Sequence, residues 1–342
     1  MKGLKIHDKL IFLVNSIAAA LLLFAYILPY LSPKSFALLS VLSLGVPLLI
    51  LINALFALYW LLKVKRPVFL SVIVLLIGFR YIGSLYKFSG SKDSEQANQI
   101  SLMSFNVRLF NVYDWIDSED IGKKAMKFIS NENPDIVCFQ EFHPDPDVFN
   151  EAYPYKFEDV SGERMKHGQA IWSKYDFLNK GSITFENTAN SAIYADLITG
   201  SDTIRVYNVH LQSSGISSQA DNIDQNSSKR LLKRVTETFK MQQDQAEKVV
   251  AHMKSSPYKI IVCGDFNNTA YSYVYNLIKG DLNDAFEVGG HGFGRTFAFR
   301  YFPVRIDFIL SDQDFSVNGF KTYDIRLSDH FPIKAELTLD SD

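Results

Sequence analysis

The segment Ile261-Val-Cys-Gly-Asp265-Phe-Asn267-Asn268 ends a hydrophobic run with a carboxylate and a carboxamide two residues apart. Alternate residues of a strand share a face, so Asp265 and Asn267 are expected to project to the same side. From there an acid can orient or deprotonate a water while an amide holds a phosphoryl oxygen. The glycine before Asp265 leaves room for another backbone to approach. Gly-Asp-x-Asn is also an ordinary turn sequence, so its weight depends on its company.

That company is ordered along the chain. Ser104-Phe105-Asn106 closes a hydrophobic strand with an amide, Asp135-Ile-Val-Cys-Phe-Gln140-Glu141 closes another with a carboxylate, and Val206-Tyr-Asn-Val-His210-Leu211 closes a third with an imidazole. Arg305-Ile-Asp307-Phe-Ile-Leu brings an acid into a further strand. Leu327-Ser-Asp329-His330-Phe-Pro then sets an acid and a histidine before a last one, Ile333 to Leu339. Taken singly, His210 also reads as a hydrogen-bonded core histidine, Asp329-His330 as a turn, and Glu141 as a solvated acid. Asp307 is harder to set aside, because an unpaired carboxylate in an apolar run is costly and His330 is its natural partner.

The chemistry these groups suit is hydrolysis of a phosphodiester. Attack by water on an anion needs a cation to neutralise developing charge and an aligned nucleophile. Carboxylate and amide oxygens, without a Cys or His cluster, fit a hard ion such as Mg²⁺, with Mn²⁺ as an alternative. His330, its tautomer set by Asp307, can act as acid, base or charge stabiliser. No serine or cysteine stands out as a nucleophile, which favours direct attack by water over a covalent intermediate.

The ordered set resembles the endonuclease/exonuclease/phosphatase superfamily of metal-dependent phosphoesterases, which includes pancreatic-type deoxyribonucleases, abasic-site endonucleases, inositol polyphosphate 5-phosphatases and neutral sphingomyelinases. The resemblance covers roughly residues 100–340. It implies an α/β fold, a four-layer sandwich of two mixed sheets flanked by helices. It further implies Glu141 as principal Mg²⁺ ligand, Asn106 beside it and Asp329 on the metal side. By the same resemblance Asp265 and Asn267 are the water-orienting and phosphate-contacting pair, His210 is a phosphate contact, and Asp307 orients His330. One position departs: Arg108 stands where some nucleases of the superfamily have an acid, which puts a second metal site in doubt.

The elements preceding these strands are of another kind. Leu10–Leu28 and Phe36–Leu62 carry no charged residue, and Pro67–Leu85 carries only Arg80. Each is long enough as a helix to cross a hydrocarbon core of ~30 Å, so residues 1–87 read as three transmembrane helices. Pro47 is expected to kink the second, and Pro29 and Pro33 mark the connection before it. Lys2, Lys5 and Lys9 precede the first span and Lys63, Lys65 and Arg66 separate the second and third, while only Lys34 lies between the first two. This distribution puts the N-terminus and the Lys63–Arg66 loop in the cytoplasm. Three crossings then put the later domain outside a multi-pass inner membrane. Residues 88–99 form a polar linker, and residues 100–342 the catalytic domain.

The whole-chain net charge of −2 conceals a split, because residues 1–87 hold nine basic and one acidic residue, leaving 26 basic against 36 acidic, or −10, beyond them. An acidic outer domain argues against high-affinity, sequence-blind binding of a polyanion. Cys138 and Cys263 sit in apolar strand cores; in an oxidising exterior they could bridge if their strands are neighbours, but buried free thiols are expected, and their spacing is no metal motif. The stretch Gly289–Arg305 is rich in Gly, aromatics and Arg. It reads either as a structural hairpin or as a loop at the mouth of the site, with Arg295 or Arg300 meeting a phosphate. From Asn226 to Lys254 an apolar stripe, Leu231, Val235, Phe239, Ala246, Val249, Val250 and Met253, predicts a helix whose Lys229, Arg230, Lys233 and Arg234 form a solvated face.

These features define a membrane-integral, Mg²⁺-dependent phosphoesterase with an extracytoplasmic catalytic domain and no evident protein partner. Nucleic acid is the first substrate class expected, with a phospholipid or sphingomyelin headgroup or a small phosphomonoester as the alternative. A non-catalytic binding module is the remaining reading, and it would be expected to lack a member of the polar set.

Overall fold

The computed structural model describes residues 5–88, 90, 99–145, 148, 150–163, 165–215, 225–299 and 302–340. In the N-terminal part the helices are α1 (Ile6–Ala25), α2 (Pro33–Val41), α3 (Val46–Leu62), α4 (Val68–Ile77) and α5 (Phe79–Gly83). Helix α1 packs on α3 and α4, and α3 on α4, so the apolar segments form one bundle. Its interior is tied by amide chemistry. The Trp60 indole donates to Asn15 Oδ1 at 2.8 Å, and Asn15 Nδ2 donates to Ser71 Oγ at 2.7 Å. One hydrogen-bonded chain thus joins α1, α3 and α4, the polar glue that apolar surroundings reward.

Two helical segments, Ile6–Tyr30 and Pro33–Leu62, are long and apolar enough to cross a membrane, which corrects the expectation of three full spans. The third run is cut at Gly78 into α4 and α5. The cause is a crossing: the Tyr26 ring passes where a side chain at Gly78 would stand, 1.9 Å from the position of a Cβ. Tyr26 then donates to the Val74 carbonyl at 3.2 Å and stacks on Tyr81 at 5.0 Å. Pro47 marks a break in the second apolar run, as expected. It lies in the first turn of α3, where its missing N–H leaves no bond unmade, and the bend falls in the 3₁₀ turn Leu42–Gly45.

Beyond residue 98 the strands are β1 (Gln99–Asn106), β2 (Ile136–Phe142), β3 (Tyr155–Ser161), β4 (His167–Ser173), β5 (Phe177–Thr184), β6 (Ser191–Thr199), β7 (Asp202–His210), β8 (Lys259–Asp265), β9 (Asp307–Ser311), β10 (Phe315–Thr322) and β11 (Ile333–Leu339). They form two six-stranded mixed sheets, one ordered β10-β11-β1-β2-β4-β3 and the other Asn283–Asp284 then β9-β8-β7-β6-β5. Strand alternation explains the layering. Ile136 and Cys138 of β2, with Ile261 and Cys263 of β8, face the core between the sheets. Val137 and Phe139 face outward under α6 (Ile121–Glu132). Ile260 and Val262 face outward under α7 (Gln225–Met253) and α8 (Tyr273–Lys279). The result is a four-layer α/β sandwich. Cys138 and Cys263 are buried free thiols, as expected.

Helix α7 has the expected apolar stripe, with Val235, Phe239, Ala246 and Val249 buried and Lys229, Arg230, Lys233 and Arg234 exposed. It also has a second partner that the sequence does not announce. Helix α2 lies along it, with the Ser32 hydroxyl donating to Gln243 Oε1 at 2.8 Å and Lys34 Nζ 2.6 Å from Asp244 and 2.7 Å from Glu247. The sandwich is therefore docked on one end of the bundle. The linker lies almost wholly outside the described residues.

Candidate active site at the strand ends

Topology brings the polar strand ends together. Strands β1 and β2 are parallel, as are β7 and β8, so Asn106, Glu141, His210 and Asp265 all emerge at C-terminal ends. Strand β9 runs against β8, pairing Asp307 with Asp265, and β11 runs against β1, pairing Ile333 with Ser104. Asp307, Asp329 and His330 therefore enter the same region from the N-terminal ends of antiparallel strands. Gly264 permits the closest approach, since at φ +130° a Cβ there would fall 2.0 Å from the Val209 carbonyl oxygen.

Asp265 is the hub. Asn106 Nδ2 donates to its Oδ2 at 3.0 Å, the Asn267 N–H to its Oδ1 at 2.8 Å, and Asn267 Nδ2 to its Oδ2 at 3.1 Å. Burial raises the Asp265 carboxyl to about 7, against the pull of the His330 charge and of these donors. Asn267 also donates to the Leu211 carbonyl at 3.0 Å. Its amide hydrogens are thus engaged in holding Asp265 and the loop after β7, a positioning task that differs from the expected phosphate contact.

His330 Nδ1 bonds both oxygens of Asp307 at 3.0 and 3.1 Å, and its Nε2 lies 3.7 Å from Asp265 Oδ2. Burial alone would lower its pKa, but Asp307 and Asp265 outweigh it and raise the imidazole to about 10. Asp307 is the buried partner that its apolar surroundings demanded. The ligand atoms of Asp265, Asp307 and His330 lie within 4.8 Å of one another. Even so, an imidazolium clasped by two carboxylates offers no lone pair to a metal.

Glu141 suits a cation better. It sits at φ 50° where the β2–β4 register shifts, a left-handed backbone that turns its half-exposed carboxylate to the pocket. Asn106 Nδ2 reaches Glu141 Oε1 at 3.4 Å and His210 Nε2 lies 3.8 Å from it. That buried Nε2 has no hydrogen-bond partner among the described residues, and burial holds His210 in its neutral form. An incompletely satisfied carboxylate and an orphaned imidazole nitrogen fit a site meant for a cation and an anionic ligand. Asp329 is already engaged, with Oδ2 2.8 Å from Arg108 Nη1. Arg108 stacks on Trp115 at 4.3 Å and begins four consecutive left-handed residues, Arg108 to Asn111. Its guanidinium occupies the side of the site where a second cation would need acids.

Glu141, Asp265, Asn267, Asp329, His330 and Arg108 line a cavity of about 320 Å³. Asn106, His210 and Asp307 stand behind them. Arg295 is not among the lining residues. Its guanidinium lies over Phe331 at 4.7 Å and its Nε donates to the Phe297 carbonyl at 3.4 Å. Arg300 lies outside the described residues.

Several supports escaped sequence reasoning. Gln140 Nε2 donates to Asn208 Oδ1 at 2.6 Å, and Asn208 Nδ2 to the Phe139 carbonyl at 2.8 Å, joining the two sheets below the site. From α7, Gln242 Nε2 donates to the Gln212 carbonyl at 2.7 Å and Gln245 Oε1 accepts from the Gln212 N–H at 2.8 Å, holding the loop after β7. The available signal was amides lying within an apolar helix face.

The sequence profile of the Endonuclease/Exonuclease/phosphatase family matches residues 103–330, and the chain belongs to this family of phosphoester hydrolases. Residues 8–85 match a separate family described only as a domain of unknown function, DUF8431. No curated protein sequence matches the chain. The fold is similar to that of an endonuclease/exonuclease/phosphatase from Beutenbergia cavernae, with 16% identity, TM-score 0.54 and coverage of 71% of this chain and 72% of that one. An endonuclease/exonuclease/phosphatase from Bacteroides vulgatus gives 20% identity, TM-score 0.54 and coverage of 71% and 99%. A humanized D. rerio TDP2 gives 18%, 0.53, and 71% and 100%.

Proposed function

We propose that the protein is a membrane-anchored, divalent-metal-dependent phosphoesterase that hydrolyses its substrate by direct attack of water. The observation that carries this reading is the convergence of Asn106, Glu141, Asp265 and His330 on one pocket, with Asp307 locking His330. Glu141 and Asn106 would hold Mg²⁺ or Mn²⁺, with Asp329 beside them if Arg108 releases it. Such an ion, when bound, neutralises charge gathering on the phosphoryl oxygens. Asp265, fixed by the Asn267 and Asn106 amides, orients the attacking water and takes up its proton; a carboxyl near 7 is well poised for that at neutral pH. His330 presents Nε2–H to the phosphoryl or leaving oxygen as a charge-assisted donor. His210 Nε2 supplies a further contact to the anion.

The anchoring part of the reading rests on the two spanning-length helices and on the polar chain that ties α4 to them. The Lys63–Arg66 loop and the N-terminal lysines mark the cytoplasmic end of this bundle. The docked sandwich then lies outside the cytoplasm if α4 and α5 complete a third passage.

The full chain in detergent is expected to hydrolyse bis(4-nitrophenyl) phosphate with Mg²⁺ or Mn²⁺ and to stop on chelation. Turnover unaffected by chelator would refute the metal assignment. A phosphatase reporter is expected to be active when fused after Gln99 and silent after Lys65, and the reverse pattern would place the domain in the cytoplasm.

A further inference from the structure

The pocket has two unlike walls, and the second is continuous with the membrane end of the bundle. Beside the carboxylates the lining includes Phe297, Phe299, Phe302, Val304 and Ile306, and with them Leu44 from the apolar N-terminal region. Leu44 lies in the 3₁₀ turn that leads into α3, a helix of spanning character. Phe302 and Val304 also line a small cavity shared with Pro47, Ser84 and Leu85 at the foot of the bundle. The candidate cavity is therefore lined partly by a segment of membrane-spanning length.

The placement is held firmly. Besides the α2–α7 contacts, the Tyr271 hydroxyl donates to the Tyr81 carbonyl at 3.1 Å, Ser84 bonds Glu287, and Tyr86 pairs with Phe293 across a short strand ladder. The segment that carries Leu44 leaves Phe36, Leu38 and Leu42 between 48% and 61% exposed, an apolar face uncovered among the described residues. Such a face, on a segment of membrane-spanning length, suits contact with acyl chains and headgroups.

We infer that the substrate is a membrane lipid phosphoester, its phosphate on the carboxylate and histidine floor and its hydrocarbon portion against Leu44, Phe299 and Phe302. This rests on the phosphoesterase reading above and names the substrate class of that site. In the reaction the water oxygen bonds to phosphorus, the P–O bond to the lipid or headgroup alcohol breaks, and the water's proton ends on the departing alcohol. An acidic catalytic domain of net charge −10 beyond residue 87 turns away extended polyanions, whereas one phosphate delivered within the membrane plane needs no basic track.

The test uses the full chain in dodecyl maltoside micelles, which carry no phosphate, with Mg²⁺. Substrates are phosphatidylglycerol for a diester, phosphatidic acid for a monoester, bis(4-nitrophenyl) phosphate, and a single-stranded oligonucleotide. Either lipid should be turned over with higher kcat/KM than both soluble substrates, and the two lipids separate a diesterase from a monoesterase. Leu44→Asp should lower the ratio of lipid to aryl-ester kcat/KM about tenfold or more, and Leu44→Met should restore it. If Leu44→Asp does not fold, Phe299→Ser is read in the same way. Equal losses on lipid and aryl ester, or cleavage of the oligonucleotide in preference to both lipids, would overturn the lipid assignment while leaving the phosphoesterase reading intact. Failure to hydrolyse any of the four with metal present would remove both.

Discussion

The helical bundle and the strand-end site both bury amides and other polar groups, but they use them differently. In the bundle, Asn15 receives from Trp60 and donates to Ser71, joining three helices. In the site, His210 Nε2 has no hydrogen-bond partner among the described residues and Glu141 has long contacts from Asn106 and His210, while His330 is held between acids. A satisfied polar network among apolar helices stabilises an arrangement. A network left incomplete toward a cavity is completed by a ligand.

Changes at the floor should break this contrast most sharply. His330→Ala is expected to lower kcat on bis(4-nitrophenyl) phosphate by about 10²–10⁴-fold with little change in KM, because it removes a donor acting on developing charge. Intact turnover would end the assignment. Glu141→Gln should act next, weakening apparent Mg²⁺ affinity by roughly 10–100-fold, as seen in metal titrations of activity. An unshifted titration would show that the cation sits elsewhere.

The pH dependence of the metal-free protein sharpens the same point. His330 is raised to about 10 from an ordinary 6.5, so its contribution to stability is complete below 6.5 and is lost as pH rises toward 10. Asp265 is raised to about 7 from 3.8, so the penalty for its ionisation in the fold grows as pH passes from about 4 through 7. Both have the same sign, and the melting temperature of chelator-treated protein should fall steadily from pH 6 to 10. Added metal should flatten the fall, and Asp307→Asn should remove most of its alkaline part. A melting temperature that rises over this interval would contradict the assigned charge states.

Smaller effects belong to the bundle. Asn15→Leu should weaken helix association by about 0.5–2 kcal/mol, read as earlier unfolding in detergent, with kcat per folded molecule unaltered. Lys34→Ala should matter least to stability, at most about 1 kcal/mol, since its ion pairs with Asp244 and Glu247 are solvent-exposed. If Lys34→Ala nevertheless lowers lipid turnover and spares the aryl ester, the docking of α2 on α7 sets the pocket's second wall.

Local chemistry made much of this legible in advance. Period-two runs ending in Asn106, Glu141, His210 and Asp265 marked strands and their polar tips, because alternation and burial are properties of a few consecutive residues. Asp307 announced a partner by the same logic, and His330 is that partner. The apolar N-terminal runs declared their character through composition alone. Their division did not follow from composition, because the break at Gly78 depends on the ring of Tyr26 arriving from another helix.

What remained for the tertiary structure was everything set by long-range pairing. No local pattern says that Arg108 would meet Asp329, that Arg295 would lie over Phe331 and not in the cavity, or that Asn208 would reach across to the other sheet. Nor does one say that Leu44 would line one pocket with Glu141, Asp265 and His330. These contacts join segments far apart in the chain, and their free energy depends on which surfaces the packing of two sheets and a bundle brings together. Sequence by itself determined the kind of chemistry and the apolar character of the N-terminal helices; only the packed fold decided that their segment helps to line the candidate site.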